Sequence, residues 1–310
     1  MRKAAPALPA PLLYKALRQK NVKLNRGRTE GAARLRAGDR LDCYLPDEFF
    51  APKPYQYDFL RAGTALRVLY EDENILLLDK SVGLLCHPDG DEYCDTLIGR
   101  VQRYLYEAGA YDPAKENTFV PALVNRIDRN TRGIVIAAKT AEALRILNEK
   151  MKRRELHKFY LCAVHGTPAQ GVPLVANWRQ LRGWLRKDGE RGLVHVSASP
   201  QPDAKEILTN YRVLAERGGL SLLEVELLTG RTHQIRAQFA ALGHGLLGDG
   251  KYGSREQRQV GGYKKQCLCS WRLVFDFMTP AAALEGLQGL DVRVSDVWFA
   301  EELFGKQVPE

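Results

Sequence analysis

Asp128 lies between Arg126 and Arg129 in the stretch VNRIDRNTRGIVI (residues 124–136), with Arg132 close behind and β-branched residues after Gly133. Cations beside a carboxylate favour its ionised form, and an ionised, poorly solvated carboxylate is what nucleophilic attack requires. The same spacing suits a salt bridge that pins a turn, so the stretch alone leaves both readings open. Other chemistries find less support. Cys267 and Cys269 lie two apart with no second pair, and none of the six histidines forms a ligand-like pair with another, so no metal site is expected. The string GHGLLGDG follows a helical pattern and does not open one after a strand, which argues against dinucleotide binding. Its glycines, Gly243, Gly245, Gly248 and Gly250, fit tight turns and close backbone approach. No Gly-x-Ser-x-Gly elbow presents an acyl-transfer serine.

A carboxylate can act only if the surrounding elements fix it. From about residue 66 the chain alternates strand and helix patterns. VLYEDENILLLDK predicts two strands about an acidic turn, and GIVIAAK a third strand. TAEALRILNEKMKRREL reads as a helix with Leu144, Leu147 and Met151 on one side. KFYLCAV and SLLEVELL are strands, THQIRAQFAAL is a helix ended by Gly243, and CLCSWRLVFDF is a final strand. Several strands follow one another with no helix between. The expected class is therefore α+β, a mixed and mostly antiparallel sheet flanked by helices. Residues 46–65 carry Pro and Gly signals with little periodicity, and 48–65 is expected to be a linker between a module at 1–47 and a domain at 66–310.

The chain's net charge of +9 is unevenly placed. Residues 1–45 hold eleven Lys and Arg against three acids, which leaves +8 in that first seventh of the sequence. Such asymmetry points to a polyanionic partner, and nucleic acid fits better than a solvated face, where acids would be interspersed. PLLYKALRQKNVKLNRGR predicts a short helix with Leu12, Leu13, Ala16 and Leu17 on its apolar face, then a strand. A second strand is expected through Leu41, Cys43 and Leu45. Lys15, Arg18, Lys20, Lys23, Arg26 and Arg28 are the candidate nucleic-acid-binding residues of this α/β module. Two more basic stretches, 151–156 and 184–191, could contact phosphates or be solvated surface. Six scattered cysteines suggest reduced thiols, no apolar run approaches the 18 or so residues of a membrane helix, and no signal peptide is read at the N-terminus. A cytoplasmic monomer without a membrane contact is expected.

Four blocks of sequence, in order, carry a resemblance. NRIDRNTRGIVIAAKT resembles the central motif of pseudouridine synthases of the large-subunit ribosomal A-type family, with the Arg-x-Asp core and Thr-x-Gly intact. It has Asn125 where that family has histidine, Ile127 for leucine and Arg132 for serine. DENILLLDKSVGLLCHP is similar to the family's first motif through Lys80, Gly83, His87 and Pro88. KFYLCAVHG is similar to its Lys-x-Tyr strand, and LLTGRTHQIRAQFAALGHGLLGDGKYG to its Gly-Arg-Thr-His-Gln-Ile-Arg block and following loop. The N-terminal module resembles the RNA-binding domain first recognised in a small-subunit ribosomal protein, the fourth of its series, with its first helix shortened.

The resemblance implies isomerisation of uridine to pseudouridine in RNA, with rRNA of the large subunit the expected substrate and tRNA second. It implies Asp128 as nucleophile and Arg231 as the cation that holds it. Tyr160 would stack on the target uracil, and Arg126 would fill the space of the extruded nucleotide or bind its phosphate. The reaction moves one bond within its substrate, so no cofactor is expected. Two rivals remain: a non-catalytic RNA-binding or ribosome-assembly factor on the same scaffold, and a nucleosidase-like hydrolase using Asp128.

Overall fold

The aliphatic runs at 75–80, 132–138 and 156–165 form the centre of one large mixed sheet. A computed structural model describes residues 8, 10–31, 33–46, 49–50, 57–90, 92–116, 118–189, 192–254, 257 and 265–305. The chain divides into two units: Met1–Tyr57 with Asp112–Thr118, and Asp58–Tyr111 with Phe119–Glu310. Residues 48 and 51–56 of the expected linker lie outside the described residues. Its end, Asp58–Arg61, is a 3-10 turn of the second unit, followed by buried Ala62.

In the first unit, helix α1 (Ala10–Arg18) precedes a three-stranded sheet of β1 (Val22–Leu24), β2 (Gly27–Arg28) and β3 (Leu41–Cys43), in the order β2-β1-β3. Asn25 and Arg26 both have positive φ, as a two-residue hairpin loop demands. Asn25 also accepts the Arg40 N–H at 2.8 Å and donates to Asp39 at 2.8 Å. Leu13 and Ala16 are buried, but Leu12, expected on the same face, is 40% exposed. Lys15, Arg18, Lys20, Arg26 and Arg28 are exposed and form no ion pair among the described residues, whereas Lys23 lies over the Tyr44 ring at 5.3 Å.

The second unit comprises strands β4 (Val68–Glu71), β5 (Ile75–Lys80), β6 (Ala122–Leu123), β7 (Arg132–Ala138), β8 (Leu156–His165), β9 (Val172–Pro173), β10 (Arg179–Asp188), β11 (Leu193–Ser197), β12 (Lys205–Arg217), β13 (Leu220–Leu227), β14 (Leu268–Phe275) and β15 (Asp291–Arg293). The main path runs β11-β10-β12-β13-β8-β14-β7-β5-β4, and every pairing in it is antiparallel except β14 with β7. Helices α2 (Leu97–Glu107), α3 (Ala141–Lys152), α4 (Gln234–Ala241) and α5 (Trp298–Phe304) cover it. Thr96 and Thr140 cap α2 and α3 by accepting the N–H of Gly99 and Ala143. The alternation of strand side chains sorts the core into two layers. Ile75, Leu77, Ile134, Ile136, Leu161 and Ala163 face α3 and α5; Leu76, Leu78, Val135, Ala137, Tyr160 and Cys162 share the other layer with residues of α2 and α4. Because both faces are covered, these strands read as continuous apolar runs.

The parallel crossing depends on one glycine. Gly133 has φ +119°, and a Cβ there would lie 2.1 Å from the Ser270 carbonyl oxygen. Its absence lets β7 close onto β14, which aligns Gly133, Ser270 and Tyr160 across three neighbouring strands. Ser270 pairs with Gly133 on one side and Tyr160 on the other. The turn that carries Asp128 is thereby set beside β8.

Candidate functional site

Asp128 sits in a turn whose backbone is tied on two sides. Its own carbonyl accepts the Thr131 N–H at 3.0 Å, and buried Gln266 donates to the Thr131 hydroxyl at 3.0 Å. From β5, Lys80 donates to the carbonyls of Ser81, Leu84 and Arg129 at 2.9, 2.8 and 3.0 Å. Gly83 adds an N–H to the Arg129 carbonyl at 2.8 Å. Lys80 is 1% exposed, and burial lowers its ammonium to about 8. This lysine and Gly83, both in the DENILLLDKSVG block, thus fix the loop next to the carboxylate. All three ammonium hydrogens are taken up by backbone, so Lys80 is a positioning group.

The cation on Asp128 is Arg236, not Arg231. Arg236 Nη1 donates to Asp128 Oδ2 at 2.9 Å, while its Nε and Nη2 grip both oxygens of Asp249 at 2.7 and 2.8 Å. Asp249 is fully enclosed and also accepts the N–H groups of Lys251 and Tyr252. Burial works against both charges, but their mutual bonds outweigh it: Arg236 is raised above its ordinary pKa and Asp249 is lowered. Helix α4 explains the difference from the expectation. It begins at Gln234, after His233 in the left-handed region, so Arg231 stays in the preceding turn and is exposed. Arg236, one position into the buried run from Ile235 to Phe239, points inward. Gln234 and Gln238 anchor this helix on Thr209 of β12, at 2.9 and 2.6 Å.

His233 contributes a second contact, with Nε2 3.7 Å from Asp128 Oδ2. The Tyr252 hydroxyl accepts the Val194 N–H at 3.0 Å and lies 2.8 Å from His233 Nδ1. Burial keeps the His233 pKa below its ordinary value, reinforced by Arg236 and Lys251 and opposed by Asp128. Tyr252 also packs its ring 5.2 Å from the Arg236 guanidinium carbon.

Asp128 opens onto a cavity of about 280 Å³ lined by Arg126, Lys158, Tyr160, Arg231, His233 and Arg236, among others. Tyr160 is 6% exposed, and burial raises its phenol to about 12, so it stays protonated near neutrality. That suits a stacking platform. Arg126 and Arg231 line the same cavity, are exposed, and form no ion pair with a described residue. The structure therefore gathers Asp128, Tyr160, Arg126 and Arg231 at one cavity but assigns the pairing role to Arg236. His233, Asp249, Tyr252 and Lys158 were not anticipated, although each lies within or beside a quoted sequence block. The two unusual residues near Asp128 have structural partners. Asn125 Oδ1 accepts the Ile136 N–H at 2.8 Å, and Arg132 binds buried Asp79 at 2.8 Å and Asp296 at 2.9 Å.

The sequence model of the family described as RNA pseudouridylate synthase matches residues 74–241. The chain belongs to that family. This pseudouridine synthase is 34% identical to an uncharacterized RNA pseudouridine synthase of Mycoplasma genitalium, over 88% of this chain and 83% of the relative. It is 29% identical to the ribosomal large subunit pseudouridine synthase D of Zymomonas mobilis, over 69% of this chain and 63% of that protein. The fold is similar to that of human RNA pseudouridylate synthase domain containing 1, with TM-score 0.57, 19% identity, and 80% and 91% of the two chains covered. The synthase is thus an isomerase with the mixed α+β fold of its structural neighbours. Among its described residues no helix is long and apolar enough to cross a membrane.

Proposed function

We propose that this synthase isomerises uridine in structured RNA with Asp128 as its nucleophile, that large-subunit rRNA is its substrate, and that tRNA is the second choice. The observation that carries the reading is the arrangement at Asp128. The carboxylate is held by Arg236 at 2.9 Å, faces an aromatic residue, and opens on a cavity whose rim carries unpaired Arg126 and Arg231. A uridine must leave its stack to reach such a cavity, at a cost smallest in loops and single strands. Tyr160 offers the aromatic face for the extruded base, and the rim guanidiniums suit its phosphates. The Zymomonas relative's name supports the choice of rRNA. Exposed Lys15, Arg18, Lys20, Arg26 and Arg28, with Lys23, form the sequence-independent handle of the N-terminal RNA-binding module.

Within the site, attack by Asp128 would break the bond between ribose C1′ and uracil N1. The base then turns, C5 bonds to C1′ as the Asp128–C1′ ester bond breaks and the carboxylate is restored, the C5 hydrogen leaves as a proton, and N1 gains one. The test uses purified protein and unmodified transcripts of large-subunit rRNA and of tRNA carrying tritium at uracil C5. Tritium released from rRNA by the wild-type chain and not by Asp128→Asn is expected. Release from tRNA alone would overturn the substrate choice, and equal release by Asp128→Asn would overturn the nucleophile.

A further inference from the structure

Lys158 is the one cation of the cavity wall that is neither paired, as Arg236 is, nor exposed at the rim. It lies on β8 two residues before Tyr160, so strand alternation puts both side chains on the same face. It lines the Asp128 cavity and is half-buried, yet it makes no hydrogen bond or ion pair with any described residue. Its ammonium nitrogen lies 3.8 Å from where a Cβ on Gly230 would stand, beside the segment that leads to Arg231. A lysine without an acceptor in such a place destabilises the free protein. A substrate in the cavity can supply the acceptor that the protein does not.

From this placement, and resting on the reading of Asp128 given above, we infer that Lys158 is a further catalytic residue whose ammonium donates a hydrogen bond to a carbonyl oxygen of the uracil as it detaches. The chemistry favours the base over a phosphate. Phosphates remain solvated and match the exposed guanidiniums of Arg126 and Arg231. The uracil enters neutral and stacks against Tyr160. When the C1′–N1 bond breaks, its electron pair stays on the ring, and negative charge spreads to N1, O2 and O4. When C5 bonds to C1′ and displaces Asp128, that charge returns to the carboxylate; the C5 proton then leaves and N1 is protonated, so no oxidant or co-reactant is needed. A donor within reach of charge that exists only between those two events lowers the barrier without strengthening substrate binding. Burial, which lowers Lys158 to about 8, leaves most of it as ammonium at neutral pH.

The test compares wild type, Asp128→Asn, Lys158→Met and Lys158→Arg on tritiated large-subunit rRNA transcript. Single-turnover rates at saturating enzyme, RNA dissociation constants and melting temperatures are measured between pH 6.5 and 9.5. The other ionisable groups facing the cavity are Arg126, Asp128, Tyr160, Arg231, His233 and Arg236. Of these, His233 is lowered from its ordinary value and Tyr160 sits at about 12, so neither titrates between 7 and 9; Lys80, held at about 8 behind the Asp128 loop, is the same in every variant, so the difference between wild type and Lys158→Arg reads Lys158 alone. Lys158→Met is expected to slow the step about 100-fold with RNA affinity changed less than threefold. Lys158→Arg, a permanent cation, is expected to recover at least a tenth of the wild-type rate and to show a smaller fall in rate above about pH 8 than wild type, the difference being the Lys158 contribution. Weakened RNA binding with an unchanged saturated rate would overturn the inference in favour of a phosphate contact. A wild-type rate that rises through pH 8, with an inactive Lys158→Arg, would overturn it in favour of a proton acceptor. Activity in Asp128→Asn would instead undo the underlying reading and leave the Lys158 comparison to be judged separately.

Discussion

Replacing Arg236 by Met separates what this residue does for the fold from what it does for Asp128. Asp249 is fully enclosed, and its charge partner is Arg236 through two hydrogen bonds of 2.7 and 2.8 Å. Deleting the arginine leaves that carboxylate buried with only the Lys251 and Tyr252 N–H groups, a loss of about 3 to 5 kcal/mol. In a unit of this size that lowers the melting temperature by roughly 6 to 20 °C. Asp128 also loses its 2.9 Å donor, and misplacement of a nucleophile costs on the order of 100-fold in rate. Adding Asp249→Asn removes the stranded charge while an amide oxygen can still accept the two N–H groups. The double variant should therefore recover most of the stability and none of the rate. Urea unfolding and single-turnover pseudouridine formation on the same samples decide it. If Arg236→Met costs less than 1 kcal/mol, the reasoning about the buried pair is wrong; if the double variant regains its rate, Arg236 serves only Asp249.

Further outcomes follow from other parts of the fold. Gly133→Ala should destabilise by about 3 kcal/mol or more, because the new Cβ meets the Ser270 carbonyl and the residue keeps a positive φ; the urea midpoint measures it. Glu155→Gln should cost about 3 to 5 kcal/mol by stranding Lys150, its partner at 2.7 Å with both side chains at most 2% exposed, and Lys150→Met on top should restore part of that loss in thermal melts. Changing Lys15, Arg18, Lys20 and Lys23 together to Ala should weaken RNA binding and flatten its dependence on log salt by a slope of about 3. An unaltered slope would remove the N-terminal module as the RNA handle.

The sequence patterns exposed the centre of the sheet because those strands carry their signal locally. ILLLDK and RGIVIAA are continuous apolar runs between turn residues, and the α3 pattern repeats at helical spacing. Strands β10 to β12 were missed for a physical reason. They lie toward one end of the sheet, where side chains such as Arg182, Arg186 and Lys187 are exposed, so their composition resembles loop. Helix α2 hides its buried Leu97, Val101 and Leu105 among Arg, Gln and Tyr. At the site, Asp128 was visible through its neighbours in sequence, but its partner was not. Arg231 and Arg236 are five residues apart in one block, and only the start of α4 at Gln234 decides which of them turns inward. The roles of Asn125 and Arg132 were equally hidden, since each depends on a residue that the fold brings close: Ile136 across a turn, and Asp79 from another strand.

The central claim is that Asp128 is the nucleophile of an RNA pseudouridine synthase. The most direct measurement maps pseudouridine by chemical labelling and primer extension in rRNA and tRNA from cells with the wild-type chain, Asp128→Asn, or no protein. The account predicts at least one large-subunit rRNA position whose signal is present with wild type and absent in the other two. A set of positions that keeps its full signal when Asp128 is replaced, yet loses it when the protein is removed, would contradict the account.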